Sequence, residues 1–433
     1  MKMLKIEPPG CALRIIERLR GAGYEAYAVG GCVRDAILGR QPEDWDITTS
    51  ALPEKVTELF PDLRVVPTGI KHGTVTLVAG DGSFEVTTFR VDGEYSDHRR
   101  PESVAYTSSI TEDLARRDFT INAMAYDPKS GEVTDPFGGM DDLERRLIRC
   151  VGEPDRRFGE DALRILRALR FSAVLDFGID GKTAESIRRN AGELRDISAE
   201  RIRAELVKLI TGRGASRVLL EYRDVFAVIL PELVPLMGLK TRDRFEAFDA
   251  YERTVAALGH YRGGDPVTAA AILLRNVGLP QSINGEKLAR EALYRLRYPL
   301  DEIKKISELV KYSGEYILHT KKTVRRLCSA LGYEQVSRLL ELKRADALAM
   351  CEAERQRPWA DVDGISRIFD EVKREGEPPS LKNLAVSGED IMALGMPKGR
   401  RVGEILSALL DAVIDEECEN DKEALIKKAR ELI

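Results

Sequence analysis

Apolar positions along the first 150 residues switch repeatedly between helical and strand spacing; beyond them the spacing stays helical almost to the end of the chain. Residues 11–22 carry apolar side chains at intervals of three and four, which predicts a helix. The short apolar run 26–29 predicts a strand, followed by Gly30-Gly31 and a second helical stretch over 32–38. Strands are predicted at 63–66, 73–78 and 84–89, the last two joined by Ala-Gly-Asp-Gly-Ser, a hairpin signal. From about Pro154 onward the pattern predicts successive helices, interrupted at 212–214, 263–266, 278–285, 298–299 and 375–379. With 433 residues and no internal repeat, this describes a mixed α/β head over residues 1–150 and a long all-helical remainder.

Composition narrows the class without giving a function. A hydrophobic share of 43% beside 32% charged residues suits a water-soluble chain with sizeable cores. No stretch reaches the roughly 20 apolar residues that span a bilayer. The start, Met-Lys-Met-Leu-Lys-Ile-Glu-Pro-Pro, lacks the apolar centre of a signal peptide, so a cytoplasmic protein with no membrane partner is expected. Cys11, Cys32, Cys150, Cys328, Cys351 and Cys418 form no CxxC pair, which argues against zinc sites and disulfides. A net charge of -5 does not announce a nucleic-acid partner, although a local basic face would suffice for one.

Gly30-Gly31-Cys32-Val33-Arg34-Asp35 joins the first predicted strand to a helix. Glycines there let backbone amides approach an anion, and Arg34, one turn in, can reach phosphate oxygens; a plain strand–helix turn would use the same glycines. In the following Asp44-Trp45-Asp46-Ile47, an extended backbone puts Asp44 and Asp46 on one face and turns Trp45 and Ile47 to the core. Carboxylates that close repel unless a cation lies between them, and Mg²⁺ favours carboxylates together with substrate phosphates. Glu85, on the strand face opposite Phe84 and Val86, is either a solvated position or a third carboxylate completing a two-ion site for in-line nucleotidyl transfer. Arg116-Arg117-Asp118-Phe119-Thr120-Ile121-Asn122-Ala123 interleaves polar with apolar residues, so part of it is buried and its polar groups need partners. A nucleotide supplies them if phosphates meet the arginines and ribose hydroxyls meet Asp118 and Asn122; a local salt-bridge cluster is the other reading.

Residues 160–171, Glu-Asp-Ala-Leu-Arg-Ile-Leu-Arg-Ala-Leu-Arg-Phe, predict one helix with Ala162, Ile165, Leu166 and Leu169 as its apolar stripe. Glu160, Asp161, Arg164 and Arg167 fall on the opposite stripe, where Asp161 and Arg164, three apart, are neighbours. They make a surface salt bridge, or they read a base. A carboxylate accepts from an exocyclic amine, and a guanidinium donates to an unprotonated ring nitrogen. Cytosine and adenine both present that combination on their pairing edge, whereas uracil and guanine present a carbonyl beside N–H. One Asp–Arg pair therefore accepts C and A without a nucleic-acid template, with about 1–3 kcal/mol available per bidentate contact. Arg167 and Arg170 lie beside the pair, within reach of phosphates or ribose.

Taken in order, these segments resemble the class II tRNA nucleotidyltransferases, the CCA-adding enzymes of bacteria and eukaryotes that are related to bacterial poly(A) polymerases. Gly-Gly-Cys-Val-Arg-Asp with Asp44 and Asp46 is similar to that family's first motif, and the segment from Arg116 to Ala123 to its second. Asp135-Pro136-Phe137-Gly138-Gly139 matches the third, Glu160 to Arg164 the fourth, and Ile197-Ser198-Ala199-Glu200-Arg201-Ile202 the fifth. The resemblance covers about residues 25–210, and more loosely 403–424. It implies an α/β, polymerase-beta-like nucleotidyltransferase head over 1–150. An elongated all-α neck (151–213), body (214–330) and tail (331–433) follow, the tail binding tRNA. It also implies that Asp44 and Asp46 bind Mg²⁺ with Glu85 as the third carboxylate, and that Gly30, Gly31 and Arg34 hold the triphosphate. Arg116 or Arg117, with Asp118 and Asn122, would sit near phosphates and ribose; Asp161 and Arg164 would choose the base, flanked by Arg167 and Arg170. The implied reaction adds C, C and A from CTP and ATP to tRNA lacking all or part of its 3′ CCA, and releases pyrophosphate.

Related poly(A) polymerases carry a basic tail and a Gly-Arg-Arg-Phe-type segment after the first motif. This chain has Thr68-Gly69-Ile70-Lys71-His72-Gly73 there and is acidic overall, which points to tRNA. CC-adding relatives have a shortened loop in the head; residues 91–101 preserve it, which points to adenine addition, although an A-adding enzyme would keep the same motifs. Some relatives carry a metal-dependent HD phosphohydrolase domain. Here Arg253-Thr254 stands in place of His-Thr, and Leu273-Leu274-Arg275-Asn276 in place of Leu-Leu-His-Asp. Arginine ligates no metal, so that activity is predicted absent. A non-catalytic RNA-binding protein would predict a broken set where Asp44, Asp46 and Glu85 stand, and an enzyme acting on a small molecule such as an aminoglycoside would not require the helical remainder. Lys321, Lys322, Arg325 and Arg326 are a candidate track for a tRNA acceptor arm.

Overall fold

A computed structural model of the protein describes residues 6–67, 69–80, 82–93, 104–240, 248–350, 352–376 and 380–433. The loop at 91–101, on which the expectation of adenine addition rests, therefore lies outside the described residues from 94 onward. The chain divides after Pro231 into two compact units.

In the first unit α1 (Gly10–Gly21) leads into β1 (Ala26–Val29), α2 (Gly31–Ile37), β2 (Asp46–Thr49), α3 (Pro53–Leu59), β3 (Arg64–Val66), β4 (Thr74–Ala79) and β5 (Gly82–Thr88). β6 (Arg90–Asp92) and β7 (Val104–Tyr106) pair with each other; α4 (Ile110–Ala115), β8 (Ala125–Tyr126), β9 (Val133–Thr134) and α5 (Gly139–Glu144) follow. Seven strands make one sheet in the order β3-β4-β5-β2-β1-β8-β9. All neighbours run antiparallel except β2 and β5, so the sheet is mixed. Against β1 lies α1, burying Cys11, Ala12, Ile15, Ile16 and Leu19, the stripe that its three-and-four spacing dictates. Each larger apolar side chain buried this way contributes about 1.5–3 kcal/mol.

The register positions the chemistry. β1 ends at Val29 opposite Asp46, the first residue of β2, and Asp46 in turn stands opposite Glu85 of β5. Gly30, Asp46 and Glu85 thus come to one edge of the sheet although 55 residues of chain separate the first from the last. Trp45 and Ile47 are buried and Glu85 is exposed between buried Phe84 and Val86, the alternation expected of each strand.

After β10 (Leu147–Ile148) come α6 (Pro154–Glu160), α7 (Leu163–Leu175), β11 (Gly178–Ile179), α8 (Gly181–Asn190), α9 (Ala199–Ile210), α10 (Ala215–Glu221) and α11 (Arg223–Ile229). β10 and β11 pair in parallel, so the chain beyond residue 150 is not wholly helical. The helix predicted over 160–171 is also two helices. At Asp161 the backbone is extended (φ -152, ψ 103), and its Oδ1 accepts the amide of Leu163 at 3.1 Å. A short carboxylate side chain offers the backbone a partner that competes with the helical ladder, and it starts a new helix here instead of continuing the old one. The apolar stripe survives the break: Ala162, Ile165, Leu166 and Leu169 are all buried.

The second unit is helical in its described residues, from α12 (Ala250–His260), α13 (Pro266–Leu274), α14 (Glu286–Arg295) and α15 (Leu300–Ser313) through α16 (Lys321–Leu331), α17 (Tyr333–Ala349) and α18 (Glu352–Arg374) to α19 (Gly388–Ala393), α20 (Arg400–Ile414) and α21 (Lys422–Leu432). No helix of the described residues is long and apolar enough to cross a membrane. α13 is buried along residues 267–274, as an all-apolar helix must be, and packs against α12, α15 and α17. The degenerate HD-like positions lie on α12 and at the end of α13 and just beyond it. Arg253 and Arg275 both pair with Asp346, while Asn276 Nδ2 donates to Thr254 Oγ1 at 2.8 Å. A buried ion-pair and hydrogen-bond network occupies these positions. The candidate RNA track on α16 differs from expectation in a similar way. Lys321 and Arg325 pair with Glu375, Lys322 and Arg326 with Asp415, and Arg325 also with Glu416. Its four cations are already paired within the unit, with three carboxylates between them.

Candidate active site

One cavity of about 980 Å³ in the first unit is lined by Gly30, Gly31, Arg34, Asp46, Glu85, Arg116, Arg117, Asp118, Asn122, Asp161, Arg164, Arg167 and Arg170. Every site residue expected from the sequence is among them except Asp44, which is exposed two residues before the start of β2. Eight arginines against four carboxylates line this cavity, so a chain that is acidic overall encloses a strongly basic site. Such a surplus of guanidinium groups suits a polyanion.

At the sheet edge the carboxyl of Asp46 is pushed above its ordinary range. Burial contributes most, the facing Glu85 and the nearby Asp44 add to it, and Arg117 opposes. Gly30 has a left-handed backbone (φ 83), and a Cβ there would lie 3.0 Å from Arg117 Nη1 and 3.9 Å from Asp46 Oδ2. Glycine thus leaves the space above the carboxylate open, for a reason of contact as well as conformation. Among the described residues no three His, Cys, Asp or Glu side chains stand together closely enough to hold an ion by themselves.

The segment from Arg116 to Ala123 is a polar network pinned to the core. Phe119 and Ile121 are fully buried, and Phe119 meets Phe171 of α7 edge to face at 5.7 Å. Gly139 lets α5 come close beneath: a Cβ there would lie 2.3 Å from the carbonyl of Thr120. Asp135 receives the amides of Gly139 and Met140, both at 2.8 Å, which assigns the third motif a structural part. Asp113, wholly buried, holds Arg116 at 2.9 Å and Arg117 at 3.5 Å. Arg117 Nε is buried without a hydrogen-bond partner. Arg34 Nη1 donates to Asn122 Oδ1 at 2.7 Å, and Asn122 donates to Asp118 at 3.3 Å. Burial alone would raise the Asp118 carboxyl, but Arg167 at 2.7 Å, helped by Arg164 and Asn122, holds it down at about 2. The salt-bridge cluster expected from the sequence is present, and Arg116, Arg117, Asp118 and Asn122 within it line the cavity.

The Asp161–Arg164 neighbourhood departs from the flat pair expected on one helix. Asp161 Oδ2 accepts from Arg201 Nη2 of α9 at 2.6 Å, while Arg164 Nη1 pairs with Glu160 at 2.5 Å and donates to the carbonyl of Arg157 at 3.1 Å. The break at Asp161 separates the two side chains' partners, yet both still line the cavity. Arg167 and Arg170 lean on Glu205, four residues beyond Arg201, and the Arg170 guanidinium lies 3.8 Å from the Phe171 ring centroid. Arg201, Glu205 and Asp113 escaped the sequence reading. The only signal for the first two was the i,i+4 pair Arg201 and Glu205 on a helix in and just beyond the fifth motif.

Family profiles match three stretches of the chain: a poly A polymerase head domain over residues 26–149, a probable RNA and SrmB-binding site of polymerase A over 176–237, and tRNA nucleotidyltransferase domain 2 over 278–429. The CCA-adding enzyme of Geobacillus thermodenitrificans is 39% identical over 419 residues, covering 96% of this chain and 95% of that protein. That of Geobacillus kaustophilus is 40% identical over 421 residues, with 96% and 95% covered. The crystal structure of the Bacillus stearothermophilus CCA-adding enzyme in complex with CTP is 32% identical, covers 98% of each chain and superposes with a TM-score of 0.75. With the motifs in one cavity and relatives this similar over almost its whole length, the chain belongs to the family of CCA-adding enzymes.

Proposed function

We propose that this protein adds C, C and A from CTP and ATP to the 3′ end of tRNA in the cytoplasm, releasing pyrophosphate, and that the basic cavity is where it does so. The observation that carries the reading is the meeting of carboxylates at a sheet edge with an aspartate and an arginine from the neck inside one pocket. Gly30 and Gly31 give the triphosphate room, and Arg34, Arg116 and Arg117 neutralise it; the buried, unpartnered Nε of Arg117 is a donor suited to a phosphate oxygen. Asp118 and Asn122 receive the ribose. Asp161 accepts from the exocyclic amine of the base and Arg164 donates to its ring nitrogen, with Arg167 and Arg170 alongside.

Asp46 and Glu85, with Asp44 adjacent, are hard oxygen donors whose mutual repulsion a divalent cation would relieve. They fit Mg²⁺, which takes one or two carboxylates together with substrate phosphates and waters, and they do not form a closed cage. When bound, Mg²⁺ supplies the charge that draws the primer 3′-hydroxyl and the triphosphate together. The residues' own part is to hold both substrates in line and to screen the developing charge with arginine. In this reading residues 1–150 are the catalytic head, 151–213 the base-selecting neck, and 214–330 and 331–433 the body and tail.

The test incubates purified protein and Mg²⁺ with tRNA ending at its discriminator base, and with tRNA ending in CC, supplying labelled nucleotides singly. CTP alone should extend the first substrate and ATP alone the second by one residue. A long ladder of A would instead mark a poly(A) polymerase, and no growth on the first substrate an A-adding enzyme.

A further inference from the structure

Two of the cavity's arginines are held from behind by a carboxylate that does not line the cavity. Asp113 lies in α4, and Arg116 and Arg117 follow it by three and four residues, so one turn of backbone brings both guanidinium groups to its side chain. Its Oδ1 accepts from Arg116 Nε at 2.9 Å and from the backbone amide of Arg90 at 3.4 Å. Its Oδ2 accepts from Thr48 Oγ1 at 3.1 Å and from Arg117 Nη2 at 3.5 Å. Asp113 has no exposed surface, whereas Arg116 and Arg117 both open onto the cavity. Burial would raise its carboxyl, but Arg116 and Arg117 hold it below the ordinary range, so it stands as an anion.

This anion decides which edges of the two guanidinium groups are left for a ligand. Arg116 is held at Nε and Arg117 at Nη2. Arg117 Nη1 lies 3.0 Å from the point that a Cβ on Gly30 would take, and Asp46 Oδ2 lies 3.9 Å from the same point. The Arg117 guanidinium therefore stands between two carboxylates and is attracted to both. Released from Asp113, it would be drawn to Asp46, and a planar fork spent on that carboxylate has fewer donors left for phosphate. Asp113 is itself anchored to the strands that carry the site. Thr48 stands two residues after Asp46 in β2, and Arg90 opens β6.

We propose that Asp113 is a positioning residue for the triphosphate: it touches no substrate, sets Arg116 and Arg117 to meet the phosphates, and keeps Arg117 from pairing with Asp46. The inference rests on the proposed function, which puts the triphosphate against these arginines. It is tested with the full chain, comparing wild type with D113N, R117M, the double variant D113N/R117M and T48V. CTP addition is measured on tRNA ending at the discriminator base and ATP addition on tRNA ending in CC, each with inhibition by pyrophosphate. Melting temperatures are followed beside them, so that the kinetics are read on folded protein.

D113N should raise the KM for CTP and for ATP roughly tenfold, the worth of one charge-assisted phosphate contact, and weaken pyrophosphate inhibition by the same factor. The kcat should change far less than KM, and the preference for CTP over UTP should not move. In the R117M background D113N should raise KM only about threefold, because one of the two groups through which it acts is gone. T48V, which removes one hydrogen bond to Asp113 and leaves the charge, should raise KM about threefold. A D113N protein that melts lower yet keeps wild-type KM and pyrophosphate inhibition would overturn the positioning role. So would an equal effect of D113N with and without R117M. Should D113N fail to fold, T48V decides, and a wild-type KM in T48V would overturn the role. An R117M variant with wild-type KM would instead overturn the reading that puts the triphosphate against Arg117, and the role of Asp113 with it.

Discussion

Arg201→Met should loosen base choice without destroying catalysis. Asp161 is held at both carboxylate oxygens, Oδ1 by the amide of Leu163 at 3.1 Å and Oδ2 by Arg201 at 2.6 Å. The ion pair is partly buried, with side-chain exposures of 23% for Arg201 and 14% for Asp161. Its removal should therefore cost folding about 1–2 kcal/mol, between the values for exposed and fully buried pairs. The effect on selection is separable. A bidentate base contact distinguishes bases by about 1–3 kcal/mol, and the carboxylate supplies roughly half of it. An Asp161 free to rotate should then lose about 0.7–1.4 kcal/mol of discrimination, a roughly three- to tenfold fall in the kcat/KM ratio of CTP over UTP. The ratio is measured on tRNA ending at the discriminator base, and that of ATP over GTP on tRNA ending in CC. Arg201→Lys should recover part of both ratios. A variant that melts lower yet keeps wild-type ratios would show that Arg201 serves only the fold, and the orienting role would be lost.

Asp46→Asn should reduce kcat about 100-fold or more with the melting temperature unchanged or raised, since a repelled carboxylate is removed; single-turnover extension of tRNA ending in CC checks it. Phe119→Ala, emptying a fully buried site against Phe171, should destabilise the first unit by about 3–5 kcal/mol in urea unfolding. Asp118, held at about 2 when folded against 3.8 when free, contributes about 2 kcal/mol that is fully present above pH 4 and lost as the pH falls toward 2. Urea titrations across that window should show a shallower acid loss for Asp118→Asn than for wild type. Asp346→Ala should cost about 3–5 kcal/mol in thermal unfolding of the second unit, because it removes the carboxylate that the largely buried Arg253 and Arg275 share.

Local patterning made the head's strands, the first helices and the glycine turn readable in advance, because each is fixed by spacing within a dozen residues. Trp45 and Ile47 face the core, and Glu85 the cavity, as strand alternation requires. Pairing between distant segments was not readable. Only the sheet register sets Asp46 opposite Glu85, and only the packing of α9 on α7 brings Arg201 to Asp161. The break at Asp161 was missed because the apolar stripe runs through it unbroken, while the extended backbone there depends on one side-chain hydrogen bond. The same limit applies to α16. A run of lysines and arginines looks available until Glu375, Asp415 and Glu416, from segments far along the chain, are placed against it.

The most direct measurement supplies wild-type protein with all four nucleoside triphosphates at equal concentration, on tRNA ending at the discriminator base, and sequences the 3′ ends of the products. One cavity that accepts C and A and rejects U and G should yield ends that stop at CCA, with incomplete products ending in C or CC. Ends carrying U or G at comparable frequency, or runs of A, would contradict an Asp161–Arg164 site that chooses the base.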